Sequence, residues 1–420
     1  MMKSIATRLF AMFLLTSFTS LWLQKIEAYE NERETKRSSI VKGSKRNPLL
    51  FHSKQFMERK LKGMKRAKVS RREAKANGGD KKDKKDDVDD TDCAGTIFVA
   101  NRGDGTLSVL DSHSGELLDT VPIPVSSSMV QPIPEDIEIV NGMIYISDSA
   151  NDRIVALDAV YYDRTTSVAD IPTGRQPTEL SADARGSTLW VTNVQDNTVL
   201  VIDLSFRVPI RSLEAFDVSG EIDFGNTVVN DVYVAASGDV GYVSYSGSRG
   251  ILIRYDNSGA ISAYNTDIGR NVRLAASFRF NCLLAPSTNL NLVNVLYNKD
   301  LYLEKTEDLD SPYDVVTSQD GSYMYITSTV KNVIYTWDMT ENTKLATNVP
   351  TVISKPWKIT HAGDRIFVTH RDSTYVSMYS VSKSNPIPIP MGKILVGNEP
   401  FGIGYLPPTS SCSSSFRQRR

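Results

Sequence analysis

The sequence predicts an all-β chain: a seven-bladed β-propeller of four-stranded blades, closed by strands from both ends and preceded by a disordered basic arm. Three observations predict it. A phrase like "TLWVTNVQDNTVLVID", from Thr188, occurs six times; a second recurring strand opens on proline; and one repeat is split between the two ends of the body.

The other five copies are "TIFVANRGDGTLSVLD" from Thr96, "MIYISDSANDRIVALD" from Met143, "VGYVSYSGSRGILIRYD" from Val240, "YMYITSTVKNVIYTWD" from Tyr323 and "RIFVTHRDSTYVSMYS" from Arg365. Each alternates apolar with small or polar residues, breaks at a Gly/Asn/Asp/Ser-rich turn and alternates again, which is the pattern of a β-hairpin. From Val191 to the closing Asp203 the interval is twelve, as in four other copies, whereas from Val243 to Asp256 it is thirteen. The added residue predicts a β-bulge or a longer hairpin turn. The closing Asp stands where a short acceptor can bond the backbone of the next turn.

Each hairpin follows a leading strand, such as "PEDIEIVNG" from Pro134, "PTELSADARG" from Pro177, "PYDVVTSQDG" from Pro312 or "PWKITHAGD" from Pro356. A fourth strand comes after it, as in "LLDTVPI", and four such strands make a propeller blade. "PFGIGYLPP" from Pro400 has no hairpin after it, and the hairpin at Thr96 has no leading strand before it. Joining the two completes a blade and removes the exposed sheet edges of an open ring. With the blades led by Pro134, Pro177, Asp231, Asn271, Pro312 and Pro356 the count is seven. The blade from Asn271 is the least regular, and "AFDVSGEIDFGNT" before Asp231 reads as a loop on one face.

The segments outside the body have their own composition. Residues 1–28 carry Lys3 and Arg8, an apolar run from Leu9 to Leu23 and a small residue at Ala28, the form of a secretory signal peptide. The run is shorter than the roughly 20 residues that span a bilayer, although a retained signal anchor is the alternative. The expected location is therefore extracellular, without a membrane span after cleavage. Residues 29–92 hold 20 Lys/Arg against 12 Asp/Glu, whereas residues 93–412 hold 22 against 36, so a basic arm is attached to an acidic body. The arm is too polar to fold alone. Its dibasic pairs, such as Lys65-Arg66, suit a removable pro-segment, and its charge equally suits docking on a polyanionic surface. Residues 413–420 form a basic tail.

Of three cysteines, Cys93 precedes the first repeat and Cys412 follows the last, so a disulfide between them would pin the closure and leave Cys282 free and buried. No C-x-x-C, G-x-S-x-G, P-loop or dinucleotide fingerprint occurs, which removes the anchors of zinc-ribbon, serine-hydrolase, NTPase and nicotinamide readings. Nucleic acid is not an expected partner; an extracellular protein or a small molecule is.

Leading strands line the channel of a propeller, so the residue before each first buried aliphatic recurs around the axis. These are Asp136, Glu179, Asp231 or Tyr233, Arg273, Asp314, Lys358 and Gly402. The carboxylates Asp136, Glu179, Asp231 and Asp314 could bind Ca²⁺ or Mg²⁺, which take oxygen ligands, and the metal could polarise an ester carbonyl. Alternatively, Arg273 and Lys358 neutralise the ring. His361 could face the channel as a general base, and Trp357 stands at a channel mouth. Trp190 and Trp337 read as core.

The repeated phrases resemble the YVTN-type β-propeller repeat and, more loosely, NHL and lactonase-like propellers, over residues 94–408. The resemblance implies the fold and leaves the activity open, since such propellers serve as scaffolds, binding modules, lactonases and lyases. The lactonase-like relatives would imply a metal held by Glu, Asn and Asp from several blades, with Asp136, Glu179 and Asp314 as the nearest equivalents here. The expectation is a secreted binding or scaffold protein, with a metal-dependent lactonase-like hydrolase or lyase as the alternative.

Overall fold

Alternating side chains can bury both faces of a strand only if each sheet is covered on both sides, and a ring of stacked blades supplies that cover. The computed structural model describes residues 94–408, apart from 126–128, 163–166, 215–226, 248–249, 257, 271–272, 298–300, 306–308 and 346–347. Within it lie seven antiparallel sheets. Blade I joins Pro400–Leu406 to Thr96–Asn101, Thr106–Asp111 and Leu117–Pro122, so both ends of the body share one sheet. Blades II to VII follow in chain order, led by Pro134–Val140, Pro177–Ala182, Val228–Val234, Ala275–Ser277, Pro312–Thr317 and Pro356–Ala362. The signal segment, the arm, most of the insert before Asp231 and both Cys93 and Cys412 lie outside the described residues.

Seven apolar clusters hold the ring, one per interface between neighbouring blades. Phe98, Val109, Ile137 and Ile146 join blades I and II, for example, and Val99, Ile403, Phe367 and Met378 join VII to I. The ring is thus closed by burial as well as by strand pairing. Cys282 is a free, buried thiol in the cluster between blades V and VI.

The local signals have local causes. Between the second and third strands, the last turn residue has positive φ at Gly105, Asp152, Asn197, Asn291 and Asn332, all residue types that tolerate this region. Asp203 accepts the backbone N–H groups of Ser205 at 2.8 Å and Phe206 at 3.2 Å; Asp111, Asp158 and Asp338 make the equivalent pair. In the thirteen-residue copy, pairing runs without a shift from Val240↔Asp256 to Tyr245↔Ile251. The added residue therefore lengthens the turn and makes no bulge. Blade V is the irregular one, with a leading strand of only three residues, and the outer edge of blade VI is split into Thr343–Lys344 and Val349–Pro350.

Candidate functional site

The register of the leading strands decides which side chains reach the channel. In blades II, III, VI and VII, pairing with the second strand shifts between the opening proline and the first buried aliphatic, as between Pro134 and Ile137. In blade IV it shifts between Val229 and Asp231. Such a bulge releases the residue ahead of the aliphatic from the ladder and re-aims its side chain. The N–H it frees is taken by a hydroxyl on the second strand: Asp136 by Ser147 at 2.9 Å, Glu179 by Thr192 at 2.9 Å, Asp231 by Ser244 at 3.1 Å, Asp314 by Thr327 at 3.2 Å and Lys358 by Thr369 at 3.0 Å. Ser147, Thr327 and Thr369 also donate to a carbonyl of the following blade. The Ser or Thr in "ISD", "ITS" and "VTH" is therefore a clamp between blades. Nothing in the alternation of the hairpins marks that role.

Asp136, Glu179, Asp231, Arg273, Asp314 and Lys358 meet in the channel. Position seven of the ring is Gly402, where a Cβ would come within 2.8 Å of the Asp136 Cα. The Lys358 ammonium lies 2.5 Å from Asp136 Oδ1 and 2.6 Å from Glu179 Oε2. Arg273 pairs with Glu179 and donates to the Tyr313 hydroxyl at 2.9 Å. Three aspartates also tie their blade to the next through a backbone N–H: Leu180 to Asp136 at 3.1 Å, Leu274 to Asp231 at 2.6 Å and Ile359 to Asp314 at 2.9 Å.

Titration follows from this uneven pairing. Burial opposes the charge on Glu179, but Arg273 and Lys358 outweigh it and hold the carboxyl at about 2. Burial pushes Asp136 up to about 6 against the pull of Lys358. Burial, together with Glu179, raises Asp231 well above the usual carboxylate range, and burial also raises Asp314. Burial disfavours the Lys358 charge, yet Asp136 and Glu179 keep its proton bound more tightly than in a free lysine.

A cavity of about 370 Å³ extends from this ring along the leading strands to the turns that follow them. Glu138, Ser181, Tyr233 and Ala275 lie on its wall, each two residues beyond a ring position, and Phe278 stands beside it with 75 % of its surface exposed. Burial and Asp136 push the Glu138 carboxyl up to about 8, and burial, Tyr242 and Glu138 push the Tyr233 phenol up to about 12. Glu138, Ser181 and Phe278 are absent from the sequence-based set, although counting two residues on from each ring position would have found the first two.

The opposite end of the ring is aromatic. Tyr313, Trp357 and Phe401, each following a strand-opening proline, form an arc with ring centroids 4.0 Å and 5.0 Å apart. Arg273 covers Tyr313, Arg371 covers Trp357 and Arg102 covers Phe401, at 5.4 Å, 5.1 Å and 5.6 Å from the centroids. None of the three aromatics lines the cavity. Trp190 and Trp337 are core residues with 2 % exposure. His361 does not face the channel: it lies three positions from Lys358, so strand alternation turns it outward, and it stacks on Tyr325 at 6.0 Å. Burial lowers its pKa, consistent with packing rather than with base chemistry in the cavity.

The donor set does not fit a divalent cation. The Lys358 ammonium stands between Asp136 and Glu179, and the second oxygen of Asp136 is held by a backbone N–H. Asp231 and Asp314 spend both oxygens on backbone N–H groups. Among the described residues, no group of three or more His, Cys, Asp or Glu is placed to hold a metal ion.

The fold and the site define a seven-bladed β-propeller with an acidic cavity in its channel. Comparison with solved structures gives the same architecture. The periplasmic gluconolactonase of Pseudomonas aeruginosa is similar with a TM-score of 0.60 and 13% identity, over 75% of this chain and 100% of that one. A 6-phosphogluconolactonase-like protein of Bacteroides fragilis matches with 0.59 and 14%, over 75% and 99%. The hydrazine synthase of Kuenenia stuttgartiensis matches with 0.56 and 15%, over 68% and 92%. At these identities the likeness carries the fold alone. No protein-family model and no curated protein sequence matches the chain.

Proposed function

We propose that the chain is exported and that its propeller, of YVTN-like type, is an extracellular binding module that takes a small polar ligand into the channel cavity. The observation that carries this reading is the cavity itself. Its volume of about 370 Å³ falls within the roughly 300–1,000 Å³ of small-molecule sites, and ionisable side chains of strongly perturbed proton affinity, a mark of functional clefts, converge on it. The charged ring also ties the blades together, so the site is held rigidly.

The test is thermal unfolding of the purified full chain against a panel of cationic, neutral and anionic small molecules. A binder at about 100 times its Kd should stabilise the fold by about 2.7 kcal/mol. Ala236→Trp, a large side chain placed beside the cavity, should abolish the shift without unfolding the protein. A panel that gives no shift, or shifts that Ala236→Trp leaves intact, would end this reading.

A second reading, hydrolysis of a lactone or ester, is favoured by one feature. Asp136 and Glu138 stand on one strand in the cavity with proton affinities about two units apart, at about 6 and about 8, the separation that acid and base partners need. Lactone turnover that is lost in Asp136→Asn and Glu138→Gln would support it. The basic arm at residues 29–92 is read as a docking segment for polyanions, and its retention on an anionic surface should fall as salt rises.

A further inference from the structure

Acidic and basic side chains on the cavity lining are unequal in number. Five carboxylates face it, from Asp136, Glu138, Glu179, Asp231 and Asp314, against two cations, Arg273 and Lys358. Both cations are committed: Lys358 to Asp136 and Glu179, and Arg273 to Glu179 and the Tyr313 hydroxyl. Among the described residues, Glu138, Asp231 and Asp314 have no basic side chain within ion-pairing distance. Glu138 is half-buried in the wall, where its carboxyl accepts the backbone N–H of Ala182 and meets no cation. Beside it the wall carries the Tyr233 ring, and Phe278 keeps 75 % of its surface in solvent next to the cavity. That ring stands on a turn and lies open to solvent at the cavity wall. It is the kind of surface a ligand covers.

Resting on the binding reading above, we propose that the cavity selects a small organic cation, an alkylammonium or quaternary ammonium group, held by Glu138 and the unpaired ring carboxylates and flanked by the faces of Tyr233 and Phe278. Three arguments lead there. An organic cation adds the charge that the lining lacks. An anionic ligand would have to draw Arg273 or Lys358 away from the carboxylates they already neutralise, and breaking a buried pair costs several kcal/mol. A bare metal ion would need converging oxygens that Lys358 and the backbone already occupy, whereas a bulky, weakly hydrated ammonium is satisfied by a diffuse acidic and aromatic surface. Burial is the main cause of the raised proton affinities of Asp136, Glu138, Asp231 and Asp314, and a cation bound among them would favour their charged forms.

The experiment is calorimetric titration of the full chain with choline and with 3,3-dimethylbutan-1-ol, its uncharged isostere, and with gluconate as an anionic polyol. Choline should bind at one site per chain, and the alcohol at least tenfold more weakly. Glu138→Gln and Phe278→Ala should each weaken choline several-fold, and Ala236→Trp should remove it. Choline does not titrate, so its affinity should rise between pH 6 and pH 8.5 as Asp136 and Glu138 lose protons. The other ionisable groups on the lining are Glu179, Asp231, Arg273, Asp314, Lys358 and the Tyr233 phenol. Equal binding of the alcohol, or binding of gluconate without choline, would overturn the ligand class and leave the cavity as a binding site. Failure of all three probes, with no hit in the wider panel, would overturn both.

Discussion

The two ends of the channel are built from adjacent positions of the same strands, yet they differ in kind. One residue after each opening proline, blades VI, VII and I place Tyr313, Trp357 and Phe401, which stack on one another under arginines. Two residues after it, the same blades place Asp314, Lys358 and Gly402, and from there the channel widens into the acidic cavity. A step of one position along a bulged strand thus separates an end packed with rings from an end lined with acidic side chains. The difference teaches that the repeat supplies positions, and that chemistry enters only through which blade carries which residue.

The largest effect should come from the junction between the two ends. Lys358→Met leaves Asp136 and Glu179 buried without their shared cation, and removing one partner of a buried pair costs about 3–5 kcal/mol. Urea unfolding should show a midpoint shift of that size. A change under 1 kcal/mol would mean that water or protonation neutralises the ring, and the contrast between the ends would lose its electrostatic basis.

Next comes proton linkage at Glu138. Its folded pKa of about 8 lies above the usual value near 4.3, so the folded state holds the proton longer than the unfolded one. Its stabilising contribution is full at low pH and is lost as pH rises from about 4.3 through 8. Glu138→Gln should therefore flatten the stability profile over that window and gain about 2 kcal/mol or less at pH 8.5. A profile as steep as that of the native chain would assign the titration to another group.

At the aromatic end, Trp357→Ala removes contacts with Tyr313, Phe401 and Arg371. A loss of about 2 kcal/mol is expected, with ligand affinity in the cavity unchanged. Altered affinity would show that the two ends are coupled. The smallest effect on stability belongs to Phe278→Ala, within about 0.5 kcal/mol because the ring is exposed, although ligand binding should suffer. That pair of variants separates packing from recognition most directly.

Much of this was legible in the chain. The hairpins, their Asn, Asp and Gly turns, the closing Asp contacts and the shared first blade all depend on residues close in sequence or on a repeat that announces itself. The ring positions were legible for the same reason, since the residue ahead of the first aliphatic recurs from one leading strand to the next. The error at His361 arose within a strand: it lies an odd number of places from Lys358, and period-two alternation turns it toward Tyr325. The clamping role of Ser147, Thr327 and Thr369 was not legible, because a hydroxyl inside an alternating strand looks like an ordinary small residue until its neighbour blade is known.

The sequence by itself determined the number of blades, the way the ring closes and the list of side chains offered to the axis, because each follows from short-range periodicity. Only the tertiary structure decided that Lys358 and Glu179, 179 residues apart, share a proton-bearing contact. It also decided that both cations serve the same carboxylate, and that one end of the channel packs while the other stays hollow. Those outcomes depend on distances across the ring, and a local pattern carries no information about the charge that stands opposite.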